Sequence, residues 1–110
     1  MGGSESGTLQ EPMNYPVIIR PEADLEILSA RDYYGGIDNE LGNDVRASIA
    51  ECINRIREHP ELYACLYGKV RPVTLRRFPF ILSYVFENER VVVLGLVHSS
   101  LPHEAWNRRK

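Results

Sequence analysis

Hydrophobic residues recur at helical spacing in the first half of the chain. They form two stripes, one at residues 23, 27, 30 and 34 and the other at residues 41, 45, 49, 52, 53 and 56. Each stripe predicts an amphipathic helix with one buried face. Pro21 suits the first turn of the first helix, and Gly35-Gly36 is expected to end it. Asp38 or Asn39 can cap the second helix, which Pro60 terminates, so the two helices form a hairpin.

Short apolar segments predict four β-strands, at residues 15–20 and at about 70–75, 80–87 and 90–97. In the third segment, Phe80, Leu82, Tyr84 and Phe86 share one face because side chains alternate along a strand. The last segment is apolar on both faces, so we expect it in the interior of the sheet, covered on both sides. The order β-α-α-β-β-β predicts an α+β fold, with the helical hairpin packed on a small, mainly antiparallel sheet.

Length and composition predict one domain without a membrane segment. Residues 1–12 are polar and contain Gly and Ser, which predicts a disordered leader, and residues 13–110 are expected to form a single domain. No apolar run approaches the roughly 20 residues of a membrane helix, and we see no secretory signal, so we expect a cytoplasmic protein. Cys52 and Cys65 stand apart from any Cys or His cluster, which predicts reduced thiols in or near the core, no metal site and no cofactor.

Charge is unevenly distributed along the chain. Residues 1–68 carry −7, with 5 Lys or Arg against 12 Asp or Glu, whereas residues 69–110 carry +5, with 8 against 3. This asymmetry indicates either a polyanionic or acidic partner, or two halves that neutralise each other within one fold. The sequence leaves both interpretations open.

Three arginines lie near the entrance of the predicted β-hairpin. Because side chains alternate along a strand, Arg71 and Arg77 are expected on one face of the sheet and Arg76 on the other. An arginine cluster on a sheet can bind phosphate groups through paired hydrogen bonds. The alternative is that these arginines are solvated or pair with the acidic helices.

His98 ends the last predicted strand, and an aromatic and basic tail follows it. A histidine can act as a general base on a ribose hydroxyl or protonate a leaving oxygen, although a histidine at a strand end commonly has a structural role. Trp106, followed by Arg108 and Arg109, can contact nucleic acid or an acidic partner. The alternative is that Trp106 packs on the sheet and the basic tail stays in solvent.

Several short motifs together resemble the RelE/ParE superfamily of bacterial toxins, and most closely its ParE, or plasmid-stabilisation, branch. They are PEADLEI at residues 21–27, HPELY at 59–63, GKVR at 68–71, RFPF at 77–80 with Tyr84, and the apolar run 91–97 leading into His98, with Trp106 at the family's spacing. The resemblance covers residues 16–109, and it implies the fold predicted above.

The resemblance also implies the toxin of a type II toxin–antitoxin system, bound and neutralised by a cognate antitoxin. For the ParE branch it implies growth inhibition through DNA gyrase, by binding and not by catalysis. The target-binding residues would then be Arg71, Arg76, Arg77, His98, Trp106, Arg108 and Arg109. The alternative is a ribosome-dependent mRNA endoribonuclease, with His98 as acid and base and Arg77 binding phosphate.

The sequence departs from the family pattern at positions that matter for this choice. RNA-cleaving relatives place a basic residue where this chain has Ile81, and arginines or a tyrosine near residues 99–101. Without a cation near the scissile phosphate, its developing negative charge is not stabilised, which argues against an efficient ribonuclease. Paired arginines common in the ParE branch are replaced by Ser100 and Leu101. A further alternative is therefore a non-toxic interaction module on the same fold.

Overall fold

The structure, a computed structural model, describes residues 14–99. Its elements are β1 (Val17–Ile19), α1 (Pro21–Ile37), α2 (Asn39–Glu58), β2 (Arg71–Thr74), β3 (Phe80–Glu87) and β4 (Arg90–His98). The predicted order β-α-α-β-β-β is confirmed, and the leader predicted at residues 1–12 lies outside the described residues. β1 and β2 are shorter than predicted. At the predicted start of the first strand, the N–H of Tyr15 donates to the carbonyl of Arg57 at 3.2 Å, so this residue pairs with α2 and not with the sheet.

The four strands form one mixed sheet in the order β1-β4-β3-β2. β1 pairs parallel with β4, whereas β4 with β3 and β3 with β2 pair antiparallel. β4 therefore lies in the interior of the sheet, as predicted. Asn88 and Glu89 close the turn between β3 and β4 with φ values of 54° and 58°. Two-residue hairpin turns of type I′ require positive φ at both central residues, because their twist matches that of the strands.

A β-bulge interrupts β4 opposite the middle of β3. Tyr84 pairs with Val93 and Ser83 with Gly95, so Leu94 has no partner in this ladder. The extra residue shifts the alternation of side chains along the bulged strand. Residues 91 and 93 before the bulge, and residues 96 and 98 after it, therefore lie on the face shared with residues 80, 82, 84 and 86 of β3.

The two helices pack closely near their connection. α1 continues to Ile37, so the prediction that Gly35-Gly36 ends it is wrong. Gly35 serves packing instead, because a Cβ on Gly42 of α2 would lie only 2.8 Å from the Cα of Gly35. Asp38 separates the helices and caps α2, as predicted, since its side chain accepts the backbone N–H of Glu40 at 2.8 Å.

The core lies between the helical hairpin and one face of the sheet. Its buried residues include Ala23, Ala30, Val45, Ile49, Cys52, Ile56, Leu82, Tyr84, Val91, Val93 and Leu96. The predicted apolar stripes of both helices face this core, which confirms the packing of hairpin on sheet. The buried hydroxyl of Tyr84 donates to the carbonyl of Pro60 at 2.5 Å and joins the end of α2 to the sheet. Cys52 is buried, but Cys65 is exposed, so the prediction that both thiols lie in or near the core is wrong for Cys65.

Candidate functional site

A groove runs between α1 and the adjoining ends of β3 and β4. α1 supplies Glu26, Ser29, Ala30 and Tyr33 to it, and the strands supply Phe80, Leu96, Val97 and His98. The helical residues recur at i, i+3, i+4 and i+7, which places them along one side of α1. The cavity measures about 380 Å³, within the usual range of ligand pockets. We call this cavity the α1–β4 groove.

Glu26 attaches α1 to β4 within this groove. Its Oε1 accepts the backbone N–H of Leu96 at 2.9 Å. Leu96 lies two residues after the unpaired Leu94, so the carboxylate binds a backbone donor beside the bulge. A hydrogen bond to an ionised acceptor is stronger than one between neutral groups. Glu26 therefore fixes the position of the strand end that carries His98.

A row of aromatic rings extends from the groove toward the β2–β3 loop. The ring centroids of His98 and Phe80 are 5.6 Å apart, and the ring of Tyr34 lies 6.2 Å from Phe80 and 5.3 Å from Phe78. The guanidinium carbon of Arg77 lies 5.4 Å from the centre of the Phe78 ring, within the range of a cation–π contact. The row therefore connects His98 with Arg77 at one end of the sheet.

Arg76 and Arg77 both point toward α2. The Nη1 of Arg76 lies 3.8 Å from Glu51 Oε2, and the Nη2 of Arg77 lies 3.3 Å from Asp44 Oδ2. The prediction that Arg76 points away from Arg77 is wrong, because β2 ends at Thr74 and strand alternation does not extend into the loop. The contacts support the interpretation that the basic half neutralises the acidic half. With side-chain exposures of 68% and 63%, these ion pairs are weak, so both arginines can exchange them for an anionic partner.

Arg71 lies at the other end of β2. Its Nη1 donates to the backbone carbonyl of Tyr63, and its Nε is buried without a hydrogen-bond partner among the described residues. Burial raises the pKa of the neighbouring Tyr84, and the positive charge of Arg71 partly opposes this rise. Arg71 therefore packs the loop after α2 against the sheet. It is on the helix side of the sheet like Arg77, as predicted, but it is apart from the groove.

The structure thus brings Arg77 and His98 to one end of the sheet, with Arg76 beside them, and separates Arg71 from this group. The predicted tail residues Trp106, Arg108 and Arg109 lie outside the described residues.

Sequence reasoning missed the contribution of α1. Neither Glu26 nor Tyr33 is singled out by the hydrophobic stripe or by a charge cluster in the sequence. The available signal was the spacing of residues 26, 29 and 33, which forms a second stripe beside the buried one. Tyr33 is 67% exposed, and a large aromatic residue at the rim of an apolar groove is typical of a binding surface.

Burial disfavours thiol chemistry at Cys52. Burial raises the pKa of Cys52 to about 11, and a protonated thiol is a poor nucleophile. No three His, Cys, Asp or Glu side chains in residues 14–99 are grouped so that they could hold a metal ion. The helices of the same range include none with the length and apolar character needed to cross a membrane.

The fold is shared with a solved toxin–antitoxin structure. A chain of the chromosomal ParDE TA system from P. aeruginosa matches this protein with a TM-score of 0.67 and 17% sequence identity, over 77% of this chain and 96% of that chain. No family model and no curated protein matches the sequence. The protein therefore shares with that chain a fold of two helices packed on a four-stranded mixed sheet.

Proposed function

We propose that this ParE-like chain is the toxin of a type II toxin–antitoxin pair, acting in the cytoplasm and neutralised by a cognate antitoxin. The observation that carries the proposal is the fold, which extends over nearly the whole of a chain from a ParDE TA system. The proposal requires two measurable properties. Expression of the chain alone should arrest growth, and a partner that covers its binding surface should relieve the arrest.

The α1–β4 groove supports a protein partner. Its wall is mainly apolar, and its polar groups are few, among them Glu26, Tyr33 and His98. Such a groove binds an amphipathic segment by burying the apolar side chains of that segment. We propose that the antitoxin places an apolar stretch here and covers the exposed ring of Tyr33.

We propose DNA gyrase as the target, bound without catalysis. Arg76, Arg77 and His98 are the described residues that we assign to target binding, with Trp106, Arg108 and Arg109 in support. Exposed arginines with weak internal ion pairs suit this role, because they lose little when an acidic surface replaces Glu51 and Asp44. Arg71 is assigned to packing and not to the target.

An endoribonuclease is the second candidate, favoured by the position of Arg77 and His98 at the same end of the sheet. His98 would transfer protons, and Arg77 would bind phosphate. At the place where RNA-cleaving relatives have a basic residue, this chain has the apolar Ile81, which pairs with Val97. The site therefore offers one cation fewer for the charge that develops on phosphorus.

Growth of a bacterial culture during induced expression of the full chain tests the proposal, together with plasmid supercoiling and mapping of transcript ends. Growth arrest with intact transcripts and relaxed plasmid supports a gyrase-directed toxin. Growth arrest with new transcript ends supports the endoribonuclease function in place of gyrase binding. Normal growth with abundant folded protein refutes a toxin function and supports a non-toxic interaction module.

A set of variants tests the residues. We expect the double variant Arg76→Ala/Arg77→Ala, and separately His98→Ala, to weaken growth inhibition by about tenfold, as loss of contacts central to an interface does. Arg90→Ala is the matched control, because Arg90 is an exposed arginine at the opposite end of β4. Circular dichroism should show that all variants fold. Full toxicity of the double variant and of His98→Ala would remove these residues from the site.

A further inference from the structure

A second cavity lies where α1 and α2 approach each other, and the proposed function does not use it. It measures about 330 Å³. Two arginines and two asparagines line it, Arg31 and Arg46 with Asn39 and Asn43. We call it the hairpin cavity. It shares no residue with the α1–β4 groove.

The floor of the hairpin cavity is bare backbone. Gly35 and Gly42 line it, and neither carries a side chain that would fill the space. A Cβ on Gly35 would have its nearest neighbour at 3.9 Å, an ordinary van der Waals distance. A methyl group would therefore fit there without disturbing the helices, and it would lie beside Gly42, which also lines the cavity.

The cavity concentrates positive charge in the acidic half of the chain. Arg31 and Arg46 are two of the 5 basic residues in positions 1–68. Arg46 forms no ion pair with any residue of the described range. Within residues 14–99, Arg31 pairs only with the adjacent Asp32, at 3.6 Å, where the two side chains are 42% and 72% exposed. Both guanidinium groups are thus available to an anion.

We propose that the hairpin cavity binds the phosphate group of a small hydroxylated phosphate ester, such as a sugar phosphate or a nucleotide. Two guanidinium groups provide planar N–H donors that match phosphate oxygens. The side-chain amides of Asn39 and Asn43 add neutral donors. Asp32 is the one carboxylate among the described residues that line the cavity, and it suits a hydroxyl group of the same molecule. The volume exceeds what a phosphate ion alone would fill.

Titration of the isotope-labelled full chain with inorganic phosphate and with ribose 5-phosphate tests the proposal by NMR at constant ionic strength. We expect the backbone amide signals of Gly35 and Gly42 to shift with a saturable dependence on either probe. Arg46→Gln should weaken binding by about tenfold, the effect of removing a hydrogen bond to a charged group. Arg90→Gln is its matched control and should bind as the wild type does.

Variants at glycine positions distinguish binding in the hairpin cavity from non-specific electrostatic attraction. Gly35→Ala should weaken binding, whereas Gly36→Ala should not, because Gly36 is outside the lining and has no atom within 4 Å of an added Cβ. Tighter binding of ribose 5-phosphate than of phosphate, lost in Asp32→Ala, identifies the ester as the ligand class. Equal binding of both probes identifies free phosphate as the source of the recognised group. Shifts that chloride reproduces, or equal affinity of wild type and Arg46→Gln, would refute the site. None of these outcomes depends on toxicity.

Discussion

Because Gly35 and Gly42 are in contact, the replacement of glycine by alanine can be compared at these two positions and at the neighbouring glycine of α1. An added Cβ on Gly42 would lie 2.8 Å from the Cα of Gly35, 3.1 Å from its nitrogen and 3.2 Å from the carbonyl oxygen of Arg31. All three are backbone atoms, so no side-chain rotation can relieve the overlap. Gly42→Ala therefore requires the two helices to move apart.

The magnitude follows from two opposing terms. Replacing Gly by Ala within a helix stabilises it by about 0.5–1 kcal/mol, and overpacking a tight contact costs about 1–3 kcal/mol. The net effect of Gly42→Ala is a loss of roughly 1 kcal/mol in the free energy of unfolding. Gly35→Ala and Gly36→Ala avoid the overlap, so each should gain up to about 1 kcal/mol.

Urea denaturation of the wild type and the three variants, followed by circular dichroism, measures these differences. With equal denaturant dependence, the midpoints should rank Gly36→Ala and Gly35→Ala above the wild type and Gly42→Ala below it. If Gly42→Ala were as stable as the wild type, the backbone contact would not limit the approach of the helices, and the reasoning would fail.

Three further predictions concern stability. Tyr84→Phe leaves the buried carbonyl of Pro60 without its donor and should lower the free energy of unfolding by about 1–3 kcal/mol; an unchanged urea midpoint would contradict this. Asp38→Ala removes the acceptor for the N–H of Glu40 and should cost about 1 kcal/mol, whereas Asp38→Asn keeps an acceptor and should cost less. Burial raises the pKa of Cys52 from 9.0 to about 11. The contribution of the protonated Cys52 thiol to the free energy of unfolding is therefore complete below pH 9 and is lost between pH 9 and 11, by at most about 1.4 kcal/mol per pH unit. Cys52→Val should show a smaller loss of stability over that interval, and an equal loss in both proteins would count against the assignment.

Periodicity predicted the helices well, because an amphipathic stripe and its buried face are local in sequence. The end of α2 was also predictable, since Pro60 cannot continue a helix. The end of α1 was not. Two adjacent glycines are common after a helix, yet here Gly35 meets Gly42 from another helix. That meeting is a tertiary contact, and a sequence pattern does not show it.

The site was only partly predictable for a related reason. His98 and Arg77 could be singled out because they stand at the ends of apolar segments. The residues that surround them could not be predicted, because the groove is formed by one side of α1 together with the end of β4. The pairing of Arg77 with Asp44 also joins residues far apart in sequence. It therefore took the structure to favour internal neutralisation, which the charge distribution alone had left open.

The bulge in β4 has a consequence for which side chains this strand can offer. Side chains change faces at every residue, so the face on which His98 lies depends on whether the count from Val93 is odd or even. The unpaired Leu94 changes that parity. If the same strand paired with β3 without a bulge, Leu94 would lie opposite Ser83, and His98 would turn to the far face while Val97 would point toward α1. The strand end would have the same residues, yet a different set of its side chains would face α1 and a bound partner. The bulge in β4 is thus as much a determinant of this surface as the identity of the histidine.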